Sequence, residues 1–170
     1  MTGSSRTDLK RGNMDKKTFT VSLALMDVLP VVFFGVAAIV LGLKLHAALF
    51  FAGAVVCFLA GAGKVLWKLI LALKNQDIRL LGAQLRYLMP LGFILMIAGA
   101  AAADRETVCE LLRAAVRMPS ILFFAVTIIG LIGMILCAKR FDRHDVRGNW
   151  IEQTINAVAQ GCAMIGVLLL

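Results

Sequence analysis

Long apolar runs recur five times between residues 20 and 170, and they limit the folds open to this chain. A helix needs about 20 apolar residues to cross roughly 30 Å of hydrocarbon. Backbone groups in lipid must be hydrogen-bonded within the protein, so runs of this length are expected to be helices. The sequence predicts an all-α polytopic membrane helix bundle with five transmembrane helices, at about residues 20–43, 47–73, 88–103, 120–138 and 150–170.

The composition supports this class. The chain has 61% apolar and 16% charged residues, whereas a soluble globule has roughly 45–50% and about 25%. The excess apolar surface is expected to face lipid. These proportions also exclude a disordered chain, a disulfide-stapled secreted domain and a repeat solenoid.

Residues 1–19 are polar and basic, and we expect a disordered cytoplasmic arm followed by one transmembrane domain over residues 20–170. The first apolar run is longer than the roughly 7–15 apolar residues of a signal peptide. No small-residue cleavage site closes it at the right distance. We therefore expect it to remain in the mature protein.

The formal charge of +8 would suggest nucleic-acid binding in a soluble protein. Here the positive charges lie between the apolar runs, so we expect no nucleic-acid partner. Lys and Arg are concentrated in the arm and in the links after the second and fourth spans. The positive-inside rule then predicts a cytoplasmic N-terminus and a C-terminus outside, in a bacterial plasma membrane.

Two links between spans have helical patterns. In residues 104–119, Val108, Leu111, Leu112 and Ala115 share one face, with acidic residues near the start and basic residues near the end. This pattern predicts one amphipathic interfacial helix between spans three and four. Residues 75–87 are likewise expected to lie along the membrane surface before the third span.

Three charged residues lie inside the first two predicted spans, where an ionised side chain costs about 3 kcal/mol unless it is paired, hydrated or protonated. Asp27 is about 10 Å deep in the first span, measured from its cytoplasmic end. Lys64 and Lys68 are four residues apart on one face of the second span, at depths of about 15 and 9 Å. Lys68 therefore matches Asp27 in depth, and Lys64 reaches the midplane.

The fifth span carries a polar stripe within an arc of about 100°. Its members are Glu152, Gln153, Asn156 and Gln160. Asn156 reaches the depth of Asp27 and Gln160 that of Lys64. We expect these groups to converge with the charged residues on an intramembrane pocket that is open to the cytoplasm.

A purely structural interpretation is also open. Lys68 would extend its ammonium to the interface, and Asp27 with Lys64 would be a buried pair that fixes helix register. The amides would then join helices, a role worth about 1 kcal/mol each. Small residues at Gly53, Cys57 and Gly61 favour close helix packing in the second span.

Three functional hypotheses follow. The first is binding or transport of a polar small molecule or ion, with Asp27 and Lys64 as the charged pair and Asn156 and Gln160 orienting the ligand. Five spans are few for a self-sufficient carrier, so a homo-oligomer or a partner membrane protein is expected. The second is a non-catalytic accessory or assembly subunit that docks through the fourth span and the Gly/Cys face of the second span.

The third hypothesis is a membrane enzyme acting on a lipid-like substrate at the inner interface. His144, Asp145 and Glu152 would then serve as acid, base or metal ligands. No catalytic motif accompanies them, so we expect no catalytic residue. The four cysteines have no metal-ligand spacing, and we expect neither a metal nor a cofactor.

Overall fold

The computed structural model describes residues 21–74, 79–140 and 146–170, and every regular element in those ranges is an α-helix. The all-α class is therefore confirmed. The predicted arm over residues 1–19 lies outside the described residues. The helices are α1 (Val21–Met26), α2 (Val28–Lys44), α3 (Ala48–Lys74), α4 (Arg79–Ala102), α5 (Arg105–Ala115), α6 (Ser120–Arg140) and α7 (Val146–Leu168).

Three of these helices are long and apolar enough to cross a membrane. The apolar segments are Ala48–Ile70 in α3, Ala83–Ala102 in α4 and Ser120–Cys137 in α6. The length of α2 is 17 residues, and the polar stripe of α7 lowers its hydropathy. The chain therefore has the features of a membrane-associated protein.

The first predicted span is divided at Asp27. Pro30 has no N–H to donate to the carbonyl of Met26, so the regular hydrogen-bond ladder is interrupted there. Asp27 nevertheless has right-handed helical dihedrals, with φ −66° and ψ −20°. Because this residue is helical, α1 and α2 follow each other as one interrupted helix over residues 21–44.

The start of the third predicted span is wrong. The helix begins at Arg79 rather than at residue 88, so most of the expected surface segment is the first part of α4. Residues 79–87 contain good helix formers and no proline, and nothing in them ends a helix. Pro90 lies inside α4 and does not end it.

The long helices form a row in the order α4, α3, α2, α7, α6. In this row α2 packs against α3 on one side and α7 on the other, while α4 packs on α3 and α6 on α7. Neighbours along the row are antiparallel except α2 and α7. These two are parallel, as shown by the contact of Phe33 with Gly161 and by the cavity that Asp27 and Asn156 both line. Therefore α1, α4 and α7 begin, and α3 and α6 end, at one end of the molecule, here called the first end.

Small residues set the distance between α3 and α4. A Cβ added at Gly53 would lie 2.6 Å from the carbonyl oxygen of Gly92 and 2.7 Å from the amide nitrogen of Met96. The adjacent Cys57 thiol donates to the carbonyl of Met89 at 3.8 Å. Backbones therefore approach closely along the small-residue face of α3.

The turn from α2 to α3 takes only residues 45–47. His46 is in the left-handed region with φ 49°. Its amide donates to the Leu43 carbonyl at 3.1 Å, and the Ala47 amide donates to the Gly42 carbonyl at 3.3 Å. These two bonds are the Schellman arrangement, which ends α2 and sends α3 back beside it.

The predicted helix between the third and fourth spans is present as α5. The Asp104 carboxylate accepts from the Thr107 amide at 3.0 Å and caps the helix. This hydrogen bond holds the pKa of the Asp104 carboxyl below its ordinary value. Apolar residues on α5 and just after it are exposed, with Leu112 at 62% and Val116 at 67%.

Candidate functional site

A cavity of about 230 Å³ lies between helices α2, α3, α4 and α7. Five of the predicted site residues line it, namely Asp27, Lys64, Gln153, Asn156 and Gln160. The rest of its lining is mainly apolar, from Pro30, Val31, Phe34, Cys57, Gly61, Val65, Leu85, Met89 and Phe93. The structure thus brings most of the predicted polar residues to one place.

These residues meet because they lie at similar distances from the first end. Asp27 is six residues from the start of α1, and Lys64 is ten from the end of α3. Gln153 and Asn156 are seven and ten residues from the start of α7. At 1.5 Å per residue these positions fall at about 9 to 15 Å along the helix axes.

Asp27 and Lys68 form a buried ion pair. The ammonium Nζ of Lys68 donates to the carboxylate Oδ2 of Asp27. Each side chain is 7% exposed, so each charge depends on its partner for the solvation that it has lost. The hypothesis that Asp27 pairs with Lys64 is wrong, because Lys68 lies at the matching depth and takes that place.

Lys64 lies one helical turn from Lys68 and lines the cavity. Its charged neighbours are Lys68, Asp27 and Glu152. Among the described residues, no carboxylate oxygen lies within the 4.0 Å of an ion pair with its ammonium. The ammonium is therefore the available positive charge of the cavity wall.

Three amides of α7 line the opposite wall, from Gln153, Asn156 and Gln160. The Oε1 atom of Gln153 is buried and has no hydrogen-bond partner. Buried polar atoms are nearly always bonded, and leaving one without a partner costs about 1–3 kcal/mol. This oxygen is therefore an unsatisfied acceptor on a residue that lines the cavity.

Glu152 does not line the cavity, although it belongs to the predicted stripe. Gln153, Asn156 and Gln160 recur at i, i+3 and i+7 and share a helical face, whereas Glu152 is turned by about 100° from Gln153. Its side chain is half-buried at the edge of that face. The stripe thus divides into three cavity amides and one carboxylate beside them.

The wall from α4 was not predicted from the sequence. Leu85, Met89 and Phe93 recur at i, i+4 and i+8 and form an apolar side of the cavity. Phe93 packs edge-to-face with Phe34 of α2, with ring centroids 6.1 Å apart. The sequence signal that could have found this wall is Gly92 on α4, because it packs against Gly53 of α3 and lets the two helices lie side by side.

The catalytic hypothesis receives no geometry from the structure. His144 and Asp145 lie outside the described residues. In residues 21–74, 79–140 and 146–170, no group of three or more His, Cys, Asp or Glu side chains is placed to hold a metal ion.

Comparison with known proteins gives no relative: the chain matches no protein-family model, no curated protein and no solved structure.

Proposed function

We propose that this chain is an integral membrane protein that binds or transports a polar solute or ion in the cavity described above. Five segments span the membrane in this proposal, namely the interrupted helix over residues 21–44 and the helices α3, α4, α6 and α7. The first end and the N-terminus lie in the cytoplasm. The concentration of Lys and Arg in the links at the first end supports this orientation. The depth of the polar residues then makes the cavity cytoplasm-facing.

The observation that carries the proposal is where the polar groups lie. An ammonium and three amides from two helices line a common space, and one buried amide oxygen has no partner. Polar residues that only join helices would bond to each other across the interface. Groups that line a cavity instead remain available to a solute, as intramembrane polar residues do on transport pathways.

Cysteine labelling tests whether water reaches this space. The four native cysteines are first replaced by serine or alanine, and Asn156→Cys is compared with Thr154→Cys in oriented membrane vesicles. Both positions are on α7, but Asn156 lines the cavity whereas Thr154 is exposed on the surface of the bundle. The reagent is a membrane-impermeant methanethiosulfonate applied from one side at a time.

We expect the Asn156→Cys variant to react from the cytoplasmic side and the Thr154→Cys variant to be protected by lipid. Reaction of Asn156→Cys from both sides would favour transport over binding alone. Equal protection of both variants would contradict the proposal, because a dry cavity does not admit a polar solute.

A second candidate is an accessory subunit of a membrane complex. The favouring observation is α6, which packs mainly on α7 and leaves large apolar side chains such as Ile129 exposed at 70%. A partner bound there would be lost from the purified complex in Ile129→Trp. Retention of every partner by this variant would contradict docking through α6.

A further inference from the structure

Of the two charged side chains that line the cavity, Asp27 is in an ion pair and Lys64 is not. Lys68 already pairs with the Asp27 carboxylate, and Glu152 lies outside the lining. Lys64 adds an ammonium with no ion-pair partner among the described residues. A bound cation would meet this ammonium, whereas an anion would supply the missing counter-charge.

The amides of α7 complete a site for an anion. The NH₂ groups of Gln153, Asn156 and Gln160 are hydrogen-bond donors on the wall that faces Lys64. These donors can bond an anion that lies beside the Lys64 ammonium.

The remaining lining favours an apolar part on the same ligand. Phe34, Leu85, Met89 and Phe93, from α2 and α4, form much of the apolar lining of the cavity. Within the described residues, α4 and α7 both line the cavity but do not pack closely against each other. The space between these two helices is therefore a route by which an apolar chain can reach the cavity from the bilayer.

We propose that the cavity binds an amphipathic anion, with its negative group on Lys64 and the amides of α7 and its apolar part against α2 and α4. Two sources share this chemistry: the phosphate headgroup of an anionic membrane lipid, and a soluble carboxylate with a short apolar chain. The inference depends on the proposed cavity function and specifies its ligand class.

The experiment measures binding to the full-length protein in maltoside detergent by native mass spectrometry. Dioleoyl phosphatidylglycerol is compared with dioleoyl phosphatidylcholine, which has the same acyl chains and no net charge. Octanoate is compared with octyltrimethylammonium, which has a similar chain and the opposite charge. The variant is Lys64→Gln, and the matched control is Lys139→Gln, an exposed lysine of α6.

We expect the wild type to bind at least one of the two anions about tenfold more tightly than its matched partner, the size of one charge-assisted hydrogen bond. Lys64→Gln should remove that preference, and Lys139→Gln should keep it. Preference for phosphatidylglycerol identifies the lipid source, and preference for octanoate alone identifies the soluble one. If Lys64→Gln does not fold, Asn156→Leu should weaken the binding of the same anion and have less effect on the binding of its uncharged or cationic partner.

No preference for either anion, tighter binding of octyltrimethylammonium, or an unchanged preference in Lys64→Gln would overturn the inference. The cysteine labelling separates this failure from failure of the cavity itself. Labelled Asn156→Cys with no anion preference rejects only the ligand class. Unlabelled Asn156→Cys rejects the aqueous cavity on which both proposals depend.

Discussion

The ion pair between Asp27 and Lys68 gives the sharpest energetic prediction. Both side chains are 7% exposed, so removing either partner leaves the other charge buried without its counter-ion. Such a removal costs about 3–5 kcal/mol, whereas replacing both charges by apolar groups is often neutral or stabilising. We therefore predict that Asp27→Leu and Lys68→Met each lower the free energy of unfolding by about 3 kcal/mol or more.

The double variant should be less destabilised than either single variant, so the coupling energy is about 3 kcal/mol or more. The assay is reversible unfolding by dodecyl sulfate in mixed micelles, followed by far-ultraviolet circular dichroism. Lys139→Met is the control, because an exposed lysine is expected to change stability by no more than about 0.5 kcal/mol. Single variants that each cost under about 1 kcal/mol and combine additively would refute the buried pair.

Three smaller predictions test the scaffold. Gly53→Ala should destabilise the protein by about 1–3 kcal/mol in the same assay, because its Cβ would lie 2.6 Å from the Gly92 carbonyl oxygen. The control Gly133→Ala should be tolerated, because the nearest contact of its Cβ would be 3.7 Å away. His46→Gly should stabilise by about 0.5 kcal/mol, since relief of left-handed strain exceeds the added freedom of the unfolded chain; a clear loss would contradict this. Asp104→Ala should speed hydrogen exchange at the start of α5. This difference from wild type should vanish as pH falls through the depressed pKa of the Asp104 carboxyl, because the cap is present only when the carboxylate is ionised. A difference independent of pH would exclude the cap.

Much of the fold could be predicted because a bilayer requires long, internally bonded helices. The ends of α3 and α6 follow the apolar runs to within one or two residues. The start of α4 could not be found in this way. Hydropathy marks where a helix enters lipid, whereas α4 continues beyond its apolar part through residues with good helix propensity.

The polar part of the site could be predicted for a related reason. Helices that cross the same bilayer run in nearly the same direction, so residue number converts to depth. This conversion places Asp27, Lys64 and Asn156 near the same level. Depth does not give the order of helices around that axis. The wall from α4 was missed because Leu85 and Met89 are apolar, and nothing in an apolar residue distinguishes a cavity from lipid.

Depth matched Asp27 to Lys68, but the sequence did not show which of the two lysines contacts α2. The two lysines share a helical face, and either one can point towards α2. Packing decides the question: Lys68 reaches Asp27 across the contact of α3 with the α1–α2 segment, while Lys64 faces the cavity. This choice leaves the Lys64 ammonium at the cavity without an ion-pair partner among the described residues.

The most direct test is an experimental density map of the full-length protein in a nanodisc containing phosphatidylglycerol. We predict Asp27 against Lys68, an open space between α4 and α7, and density within hydrogen-bonding distance of the Lys64 ammonium and the Gln153 amide. A map in which α4 closes against α7, or in which Lys64 points away from that space towards solvent, would contradict this prediction.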